Sequence, residues 1–379
     1  MTGAARAAGT TPSADLIVIG GGIHGCATAM YAALRGLSVT LLEKETVARH
    51  ASGVNAGGVR RLGRHYAEVA ISQRSMEIWY GLEDFLAADC GFNVAPQIRV
   101  IEAEVELEDA RRRVRDLNEM GFDHEVILDQ KQLREHLPAV SDHVIGGLAC
   151  LEDGFAQPFH TTFAIARKAK AEGVRIVETC RATGLRQSEG VWSVETTEGT
   201  FRAAKVLIAG GAWGNDLSSS LGEPVPLKDC APMMIVTSRL PHFCDAVVSA
   251  IGRPLSFKQM PNGTVVIGGG RLGRADRTTN LSEILFDELH LTAETASDIF
   301  PIMREASIVR TWSGVESILP DAIPVMGPSA RHEGLFYSFG YSTHGFQLGP
   351  GCGEVMAELI ATGSTGYSLD AFAVNRFAA

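Results

Sequence analysis

A glycine-rich turn between two short apolar strands is the feature that most constrains this chain. Residues 16–19 form an apolar, β-rich run, residues 26–35 have helical composition, and a second apolar run ends in Glu43. The turn has the spacing G-x-G-x-x-G, made by Gly20, Gly22 and Gly25. In a βαβ unit these glycines permit a tight turn, close approach of the backbone to a pyrophosphate and close packing of helix on strand. A glycine turn without a ligand is the alternative, but the complete pattern predicts a dinucleotide site.

The acid that ends the second strand narrows the choice of ligand. Glu43 falls where a carboxylate accepts hydrogen bonds from ribose hydroxyls, which disfavours a 2′-phosphate there. The predicted ligand is therefore an ADP-containing dinucleotide, NAD or FAD. Ile23 and His24 lie between the glycines and Lys44 follows the acid, so these three residues are predicted to bind the cofactor as well.

Length and charge limit the class of protein. The 379 residues exceed the usual size of a single domain, which predicts one large domain and a smaller one. Hydrophobic residues make up 45% of the chain and charged residues 21%, as in a soluble α/β protein. The formal net charge is −10 and no basic run exceeds residues 111–113, which argues against a nucleic-acid partner.

Cysteines and termini predict the compartment. The seven cysteines are odd in number and scattered, with no C-x-x-C pair, so they indicate neither a metal site nor a disulfide framework. Residues 1–13 are small and polar and lack the apolar core of a secretory signal, so we expect a disordered tail. No apolar window is long enough to span a membrane. These features predict a cytoplasmic protein.

A segment near the carboxyl end distinguishes the two dinucleotides. We expect residues 342–350 to form a loop, followed by a helix over residues 353–361. A helix N-terminus with glycine-exposed N–H groups stabilises negative charge, such as that on N1 and O2 of a reduced flavin. Nicotinamide instead loses positive charge on reduction, so the segment favours FAD. Residues 205–210 are predicted to form another strand, which ends in Ala209 and Gly210 and is followed by Trp213. These three residues either approach the dinucleotide or form an ordinary glycine turn.

The remaining pattern predicts two discontinuous domains within an α/β fold. A Rossmann-type FAD-binding domain would comprise residues 14–90, 151–223 and 321–379. Residues 91–150 and 224–320 carry strands with hairpin signals, typical of an α+β substrate-binding domain built on an antiparallel sheet. Within these limits we expect a helix over residues 67–87, a strand over 93–102 and a charged helix over 105–119.

Five motifs occur in a recognisable order: the glycine turn with Glu43, ASGVNAGGVRR (51–61), AGGAW (209–213), WSGVESILPDAIPVMG (312–327) and HGFQLGP (344–350). In this order they resemble the D-amino-acid oxidase superfamily of FAD-dependent oxidoreductases, in particular its glycine oxidase, sarcosine oxidase and amino-acid dehydrogenase branch. The resemblance extends from residue 15 to about residue 363.

The resemblance implies that the chain oxidises a C–N bond of a D- or N-substituted amino acid or a secondary amine. Hydride would pass to flavin N5 and leave an imine that water hydrolyses. Matched residue by residue, Gly20, Gly22 and Gly25 would meet the pyrophosphate and Glu43 the ribose. The stretch from pyrophosphate to ring would be lined by Ser52, Asn55, Gly57 and Gly58, and the pyrimidine edge by Gly345, Phe346 and Gln347.

Substrate binding calls for a cationic clamp for a carboxylate, and arginine suits it. Many relatives have an arginine two residues after the glycine of the W-x-G segment, where this chain has Glu316. That carboxylate either attracts a substrate amine or forms a salt bridge with a local arginine. Arg60, Arg61 and Arg64 are further candidates for the clamp, each with a structural or phosphate-facing alternative.

Two more residues are candidates near the flavin ring. His344 would hold substrate or accept a proton, or else be a satisfied structural histidine. Lys258 stands where some oxidases of the branch place a lysine that promotes reaction of reduced flavin with oxygen, the alternative being an exposed strand lysine. No cysteine follows Trp312 within its segment, which predicts non-covalent FAD.

Several alternatives stay open from the sequence. Opine-type and hydroxyproline-type compounds are substrate classes to test, and the electron acceptor is either oxygen or a partner subunit. The expected assembly is a homo-oligomer or a complex with an electron-transfer subunit. Other classes are a NAD-dependent dehydrogenase, a non-catalytic nucleotide-binding subunit and a glycerol-phosphate-type flavoenzyme.

Overall fold

A computed structural model describes residues 13–378. The predicted disordered tail lies outside these residues except for Ser13, which donates hydrogen bonds from its amide and its hydroxyl to Arg202 O. Among the helices of residues 13–378, none combines the length and apolar character needed to cross a bilayer.

The helices of the described residues are, in chain order, α1 (Ile23–Leu34), α2 (Ala51–Val54), α3 (Val69–Tyr80), α4 (Leu82–Leu86), α5 (Glu104–Glu119), α6 (Gln130–His136), α7 (Pro158–Ala171), α8 (Gly214–Ser220), α9 (Phe286–Ile299) and α10 (Gly345–Thr362). Short 3-10 turns occupy Tyr66–Glu68, Gly211–Trp213, Pro301–Glu305, Asp370–Phe372 and Val374–Phe377.

The strands of the same residues are β1 (Ala14–Ile19), β2 (Val39–Leu42), β3 (Gly58–Val59), β4 (Asn93–Val94), β5 (Gln97–Ile101), β6 (Val126–Asp129), β7 (Gly146–Cys150), β8 (Gly154–Phe155), β9 (Arg175–Val177), β10 (Ala182–Ser188), β11 (Val191–Thr196), β12 (Gly199–Ile208), β13 (Lys228–Thr237), β14 (Val247–Ala250), β15 (Ser256–Gln259), β16 (Val265–Gly268), β17 (Leu272–Asp276), β18 (Leu281–Glu283), β19 (Ile308–Ser313), β20 (Glu316–Ile318), β21 (Val325–Pro328) and β22 (Leu335–Phe339).

An eight-stranded sheet has a parallel centre in the order β22-β12-β1-β2-β9. An antiparallel meander, β10-β11-β12, extends it, and β21 pairs with β22. Residues 16–19 of β1 and all of β2 are buried, as expected for the centre of a parallel sheet that is covered on both faces. Their carboxyl ends meet at one edge, which brings together Gly20, Glu43, Ala209 and Gly340 from four distant parts of the chain.

An eleven-stranded sheet runs in the order β18-β17-β13-β16-β15-β14-β5-β7-β6, with β19 and β20 also paired to β13. Most of its pairs are antiparallel, and β14 with β5 is parallel. A third, three-stranded sheet, β3-β8-β4, is built from short strands. The α/β fold class is confirmed, with an antiparallel-rich sheet beside a Rossmann-type one. The exact domain limits, including those at residues 91, 151, 224 and 321, stay a prediction.

Two of the predicted elements are interrupted in the structure. The expected helix over residues 67–87 ends at Tyr80 and resumes as α4 after Gly81. The expected strand over residues 93–102 divides into β4 and β5 because Pro96 has no N–H to donate to a ladder. The charged helix is found as predicted, as α5.

Candidate active site

A cavity of about 1300 Å³ lies between the carboxyl edge of the parallel sheet and the eleven-stranded sheet. One wall is formed by the glycine turn and by residues 209–213, 340–341 and 343–346. The opposite wall comes from β5, β13, β14 and the segment before β15. Ligand pockets usually measure about 300–1,000 Å³. This cavity is larger than that, so it has room for a dinucleotide and a small substrate together.

The glycine turn leaves no room for side chains. Gly20 has φ +118°, and a Cβ built there would lie 2.4 Å from Ala209 O. A Cβ on Gly25 would lie 2.0 Å from Gly20 O, so helix α1 packs directly on the turn. Gly22 lines the cavity, whereas Gly25 lies just behind its wall.

Glu43 is held by backbone amides at the end of β2. Its carboxylate accepts hydrogen bonds from the amides of Gly21 (2.6 Å) and Glu45 (2.9 Å). Burial raises the pKa of Glu43 although these two amides oppose that shift. The remaining lone pairs of a carboxylate allow it to accept from ribose hydroxyls as well.

His24 lines the cavity, but its ring nitrogens are buried. Its ring stacks on Tyr341 with centroids 3.5 Å apart, and neither ring nitrogen has a hydrogen-bond partner within residues 13–378. Burial lowers its pKa to about 3, so the imidazole is neutral and offers one donor and one acceptor. Both nitrogens are buried beneath the wall, so we assign them no contact with a cofactor.

Lys44 also lines the cavity, and its ammonium group already has partners in the protein. Its Nζ lies 3.0 Å from the centroid of the Trp213 ring and donates to Asn280 Oδ1 at 2.6 Å. Burial lowers the pKa of Lys44 to about 8. Ala209, Gly210 and Trp213 line the cavity beside it.

The segment after Glu43 contains α2 and β3 rather than a simple loop. Ser52 Oγ accepts from the amide of Ile23 at 2.9 Å, which ties this segment to the start of α1. Asn55 Oδ1 accepts from the amide of Gly57 at 2.8 Å. Asn55, Gly57 and Gly58 all line the cavity.

The predicted loop over residues 342–350 is wrong beyond residue 344, because α10 begins at Gly345. Glycines and Pro350 lower the local helix propensity, but packing overrides it. A Cβ on Gly349 would lie 2.7 Å from Ile23 Cγ1, and one on Gly353 would lie 2.4 Å from Ala27 Cβ, so the glycines permit close contact with α1. The first turn of the helix carries no acidic residue and faces the cavity through Gly345 and Phe346.

Gln347 is fully buried behind that turn and does not line the cavity. Its side chain accepts from Ser72 Oγ at 3.0 Å and from Arg64 Nη2 at 3.2 Å, and it donates to Ser72 O. The amide therefore anchors the helix start to α3.

His344 is hydrogen-bonded through both ring nitrogens. Nδ1 lies 2.9 Å from Ser342 O and Nε2 lies 2.9 Å from Glu68 Oε1. Burial opposes ionisation of Glu68, but the hydrogen bond from His344 and the charge of Arg64 outweigh it and lower the pKa of the carboxyl. His344 lines the cavity as a satisfied residue.

The three clustered arginines have different surroundings. Arg61 forms a buried ion pair with Asp153, with Nε 3.0 Å from Oδ1. Arg64 is used inside the protein, donating to His344 O, Arg60 O and Gln347. Arg60 donates to Leu62 O, has no ion pair within residues 13–378 and lines the cavity. Burial lowers the pKa of Arg60 to about 10.

Glu316 lines the cavity from β20 without a basic partner in the described part of the chain. The salt bridge considered as an alternative is therefore not formed. Burial alone raises the pKa of Glu316 to about 7.

Lys258 is buried, so the expectation of an exposed strand lysine is wrong. Its side chain is 6% exposed, and its Nζ lies 4.4 Å from the centroid of the Phe155 ring. A Cβ on Gly57 would lie 3.2 Å from that Nζ, which puts the lysine directly behind the wall of the cavity. Burial lowers the pKa of Lys258 to about 8.

Sequence reasoning missed Arg99, which enters the cavity from β5 beside Arg60. A signal was present, because Gln97 and Arg99 are polar residues at alternate positions of an otherwise apolar strand, QIRVI. Alternation of this kind marks one face of a strand. Ser249, its register partner on β14, was missed too.

Comparison with known proteins identifies the class of this site. The family described as "FAD dependent oxidoreductase" matches residues 15–359. "Sarcosine oxidase subunit beta" of Arthrobacter sp is 28% identical over 376 residues, covering 96% of this chain and 91% of that protein. The crystal structure of L-proline dehydrogenase from P.horikoshii has a TM-score of 0.89 at 24% identity, covering 97% of this chain and 98% of that one. Glycine oxidase from Bacillus cereus ATCC 14579 has a TM-score of 0.83 at 25% identity, covering 94% and 98%.

Proposed function

The chain belongs to the family of FAD-dependent oxidoreductases, as an amine or amino-acid enzyme of the sarcosine oxidase and glycine oxidase type, and we propose that it oxidises the C–N bond of a D- or N-substituted amino acid or a secondary amine. The resemblance to D-amino-acid oxidases, read from the motifs, is confirmed by this membership, and the NAD alternative is abandoned with it.

The observation that carries the proposal is a pair of opposite charges on the cavity wall. Arg60 and Glu316 both line the cavity, and neither has an ion-pair partner within residues 13–378. Buried charges are ordinarily paired, so both are suited to a ligand that brings the complementary charges. An amino acid does so, with its carboxylate at the guanidinium of Arg60 and its amine at Glu316.

Glu316 would prepare the amine for oxidation. A protonated amine has no lone pair to support loss of hydride from the neighbouring carbon, so the proton has to leave first. With its pKa raised to about 7 by burial, the carboxylate of Glu316 is a base of suitable strength to take that proton. FAD, when bound, supplies at its N5 atom the acceptor for the hydride and its electron pair. The substrate is left as an imine, which water hydrolyses to a carbonyl compound and an amine.

The residues predicted to hold the cofactor are those of the carboxyl edge. Gly20, Gly22 and Gly25 would admit the pyrophosphate to the start of α1, and Glu43 would accept from the ribose. The start of α10, whose first turn carries no acidic residue, would stabilise negative charge at the other end of the cavity.

The electron acceptor is either oxygen or a partner subunit. Lys258, a buried cation behind Gly57, favours oxygen, because a positive charge stabilises the superoxide formed first. Similarity to a protein named as a beta subunit favours the alternative, a catalytic subunit of an opine-type or hydroxyproline-type dehydrogenase that passes electrons to a partner. Peroxide production by the isolated chain supports oxygen, whereas slow turnover with oxygen and fast turnover with an artificial dye supports a partner.

Anaerobic bleaching of the flavin by a panel of amines tests the oxidation itself. We expect at least one N-substituted or D-amino acid to bleach the visible absorbance of the flavin, and its ether analogue, which lacks the nitrogen, to leave it unchanged. Methoxyacetate serves as the ether control for N-methylglycine. The proposal fails if no amine reduces the flavin.

A further inference from the structure

Arg99 is a second cavity arginine without a counter-ion. It lies on β5 in the eleven-stranded sheet and lines the cavity. Within residues 13–378 its guanidinium makes no hydrogen bond and no ion pair, unlike Arg253, which also lines the cavity but pairs with Glu102 and Asp298. A half-buried guanidinium with five donors and no acceptor among the described residues is suited to binding an anion.

A second arginine beside Arg99 increases the positive charge at this part of the cavity wall. A Cβ on Gly63 would lie 2.8 Å from Arg99 Nη1 and 3.8 Å from Arg60 Nη1, so two cations border the same glycine. The charge of Arg60, after burial, is the main influence that lowers the pKa of Arg99. Ser249, its register partner on β14, also lines the cavity, and its hydroxyl has no hydrogen-bond partner in the described residues.

The carboxylates nearest to Arg99 are engaged elsewhere. Glu125 accepts two hydrogen bonds from Arg113, at 2.7 and 2.8 Å, and one from the amide of Gly63 at 2.7 Å. Glu106 accepts from the amide of Glu102 at 2.9 Å. Neither forms an ion pair with Arg99, so no carboxylate of the described residues neutralises its charge.

We propose that Arg99 and Ser249 form a subsite for a second carboxylate of the substrate, so that the substrate is an amino acid or secondary amine bearing two carboxylates. The inference rests on the proposed function, in which Arg60 takes the first carboxylate and Glu316 the amine. A carboxylate matches the planar fork of Arg99 bidentately and still has lone pairs for the hydroxyl of Ser249. A substrate with one carboxylate would leave one of the two arginines unpaired.

Inert thioether analogues test this subsite separately from catalysis. Binding to the holoenzyme is followed by the perturbation of the flavin absorption spectrum, using (methylthio)acetate, thiodiglycolate and 3-(carboxymethylthio)propanoate. We expect at least one dicarboxylate to bind about 10- to 100-fold more tightly than the monocarboxylate, the range for a charge-assisted hydrogen-bonded pair.

Variants test whether Arg99 is responsible for the tighter binding of the dicarboxylate. In Arg99→Gln the preference for the dicarboxylate should vanish while the monocarboxylate binds as before, and Arg99→Lys should restore part of the preference. Ser249→Ala should reduce it by a few-fold, and keeps the proposal testable if Arg99→Gln does not fold. Arg274→Gln, which alters an exposed arginine on β17, is the matched control.

Two results would overturn the subsite: equal binding of mono- and dicarboxylates by the wild-type protein, or an equal loss of both in Arg99→Gln. Neither result touches the proposed function, because anaerobic bleaching by a monocarboxylate amine would persist. Conversely, if no amine bleaches the flavin while the dicarboxylate preference depends on Arg99, the oxidation fails and the anion subsite stands.

Discussion

Replacing Glu316 with glutamine should make the protein more stable at neutral pH and leave its stability at acid pH nearly unchanged. Glu316 is half-buried on the cavity wall, and burial raises its pKa to about 7 from the usual 4.5. Between these two pH values the folded protein retains a proton that the unfolded chain has released. Wild-type stability therefore falls as the pH rises from about 4.5 to about 7 and is not reduced further by this group above that range.

The size of the effect follows from the two pKa values. At about 1.4 kcal/mol for each pH unit between them, the ionised carboxylate costs the folded state about 3 kcal/mol. Glutamine carries no charge, so the Glu316→Gln variant escapes this cost. Its free energy of unfolding relative to wild type should rise by about 3 kcal/mol between pH 4.5 and pH 8.

Urea denaturation followed by tryptophan fluorescence measures this difference, at saturating FAD and at pH steps from 4.5 to 8.5. Glu198→Gln is the matched control, because Glu198 is an exposed residue of the turn between β11 and β12. A constant offset between Glu316→Gln and wild type across this pH range would refute the reasoning, since it would show that burial does not hold a proton on Glu316.

Four further outcomes are expected. Gly20→Ala should yield protein without bound flavin, because its Cβ would lie 2.4 Å from Ala209 O at a φ of +118°. The control Gly81→Ala, at a position with open space, should stay yellow. Equal flavin-to-protein absorbance ratios in the two variants would contradict this prediction. Lys258→Met should slow peroxide formation at least about tenfold without changing anaerobic bleaching. In the wild type that oxygen reaction should weaken as the pH rises through about 8, where the buried lysine loses its proton, and a flat pH profile would be evidence against its role. Acid precipitation should leave the yellow colour in the supernatant, and a yellow pellet would show covalent attachment.

The elements that sequence predicted well are those set by neighbouring residues. The βαβ unit follows from apolar runs, glycine spacing and a terminal acid within about thirty residues. Helix α5 follows from the charge pattern of its own surface. The predicted start of the last helix was wrong, because Gly349 and Gly353 disfavour a helix locally and favour one only when α1 packs against them.

The sequence by itself determined the cofactor class and the family, because the five motifs are short, ordered and readable without knowledge of contacts. Only the tertiary structure decided the surroundings of the candidate substrate residues. It buried Lys258 behind Gly57 and engaged both ring nitrogens of His344. It also left Glu316 without a basic partner among residues 13–378 and placed Arg99 beside Arg60. These outcomes depend on which segments far apart in the chain are brought into contact. Burial and pairing, which set charge and reactivity, therefore arise only when the two sheets close on one cavity.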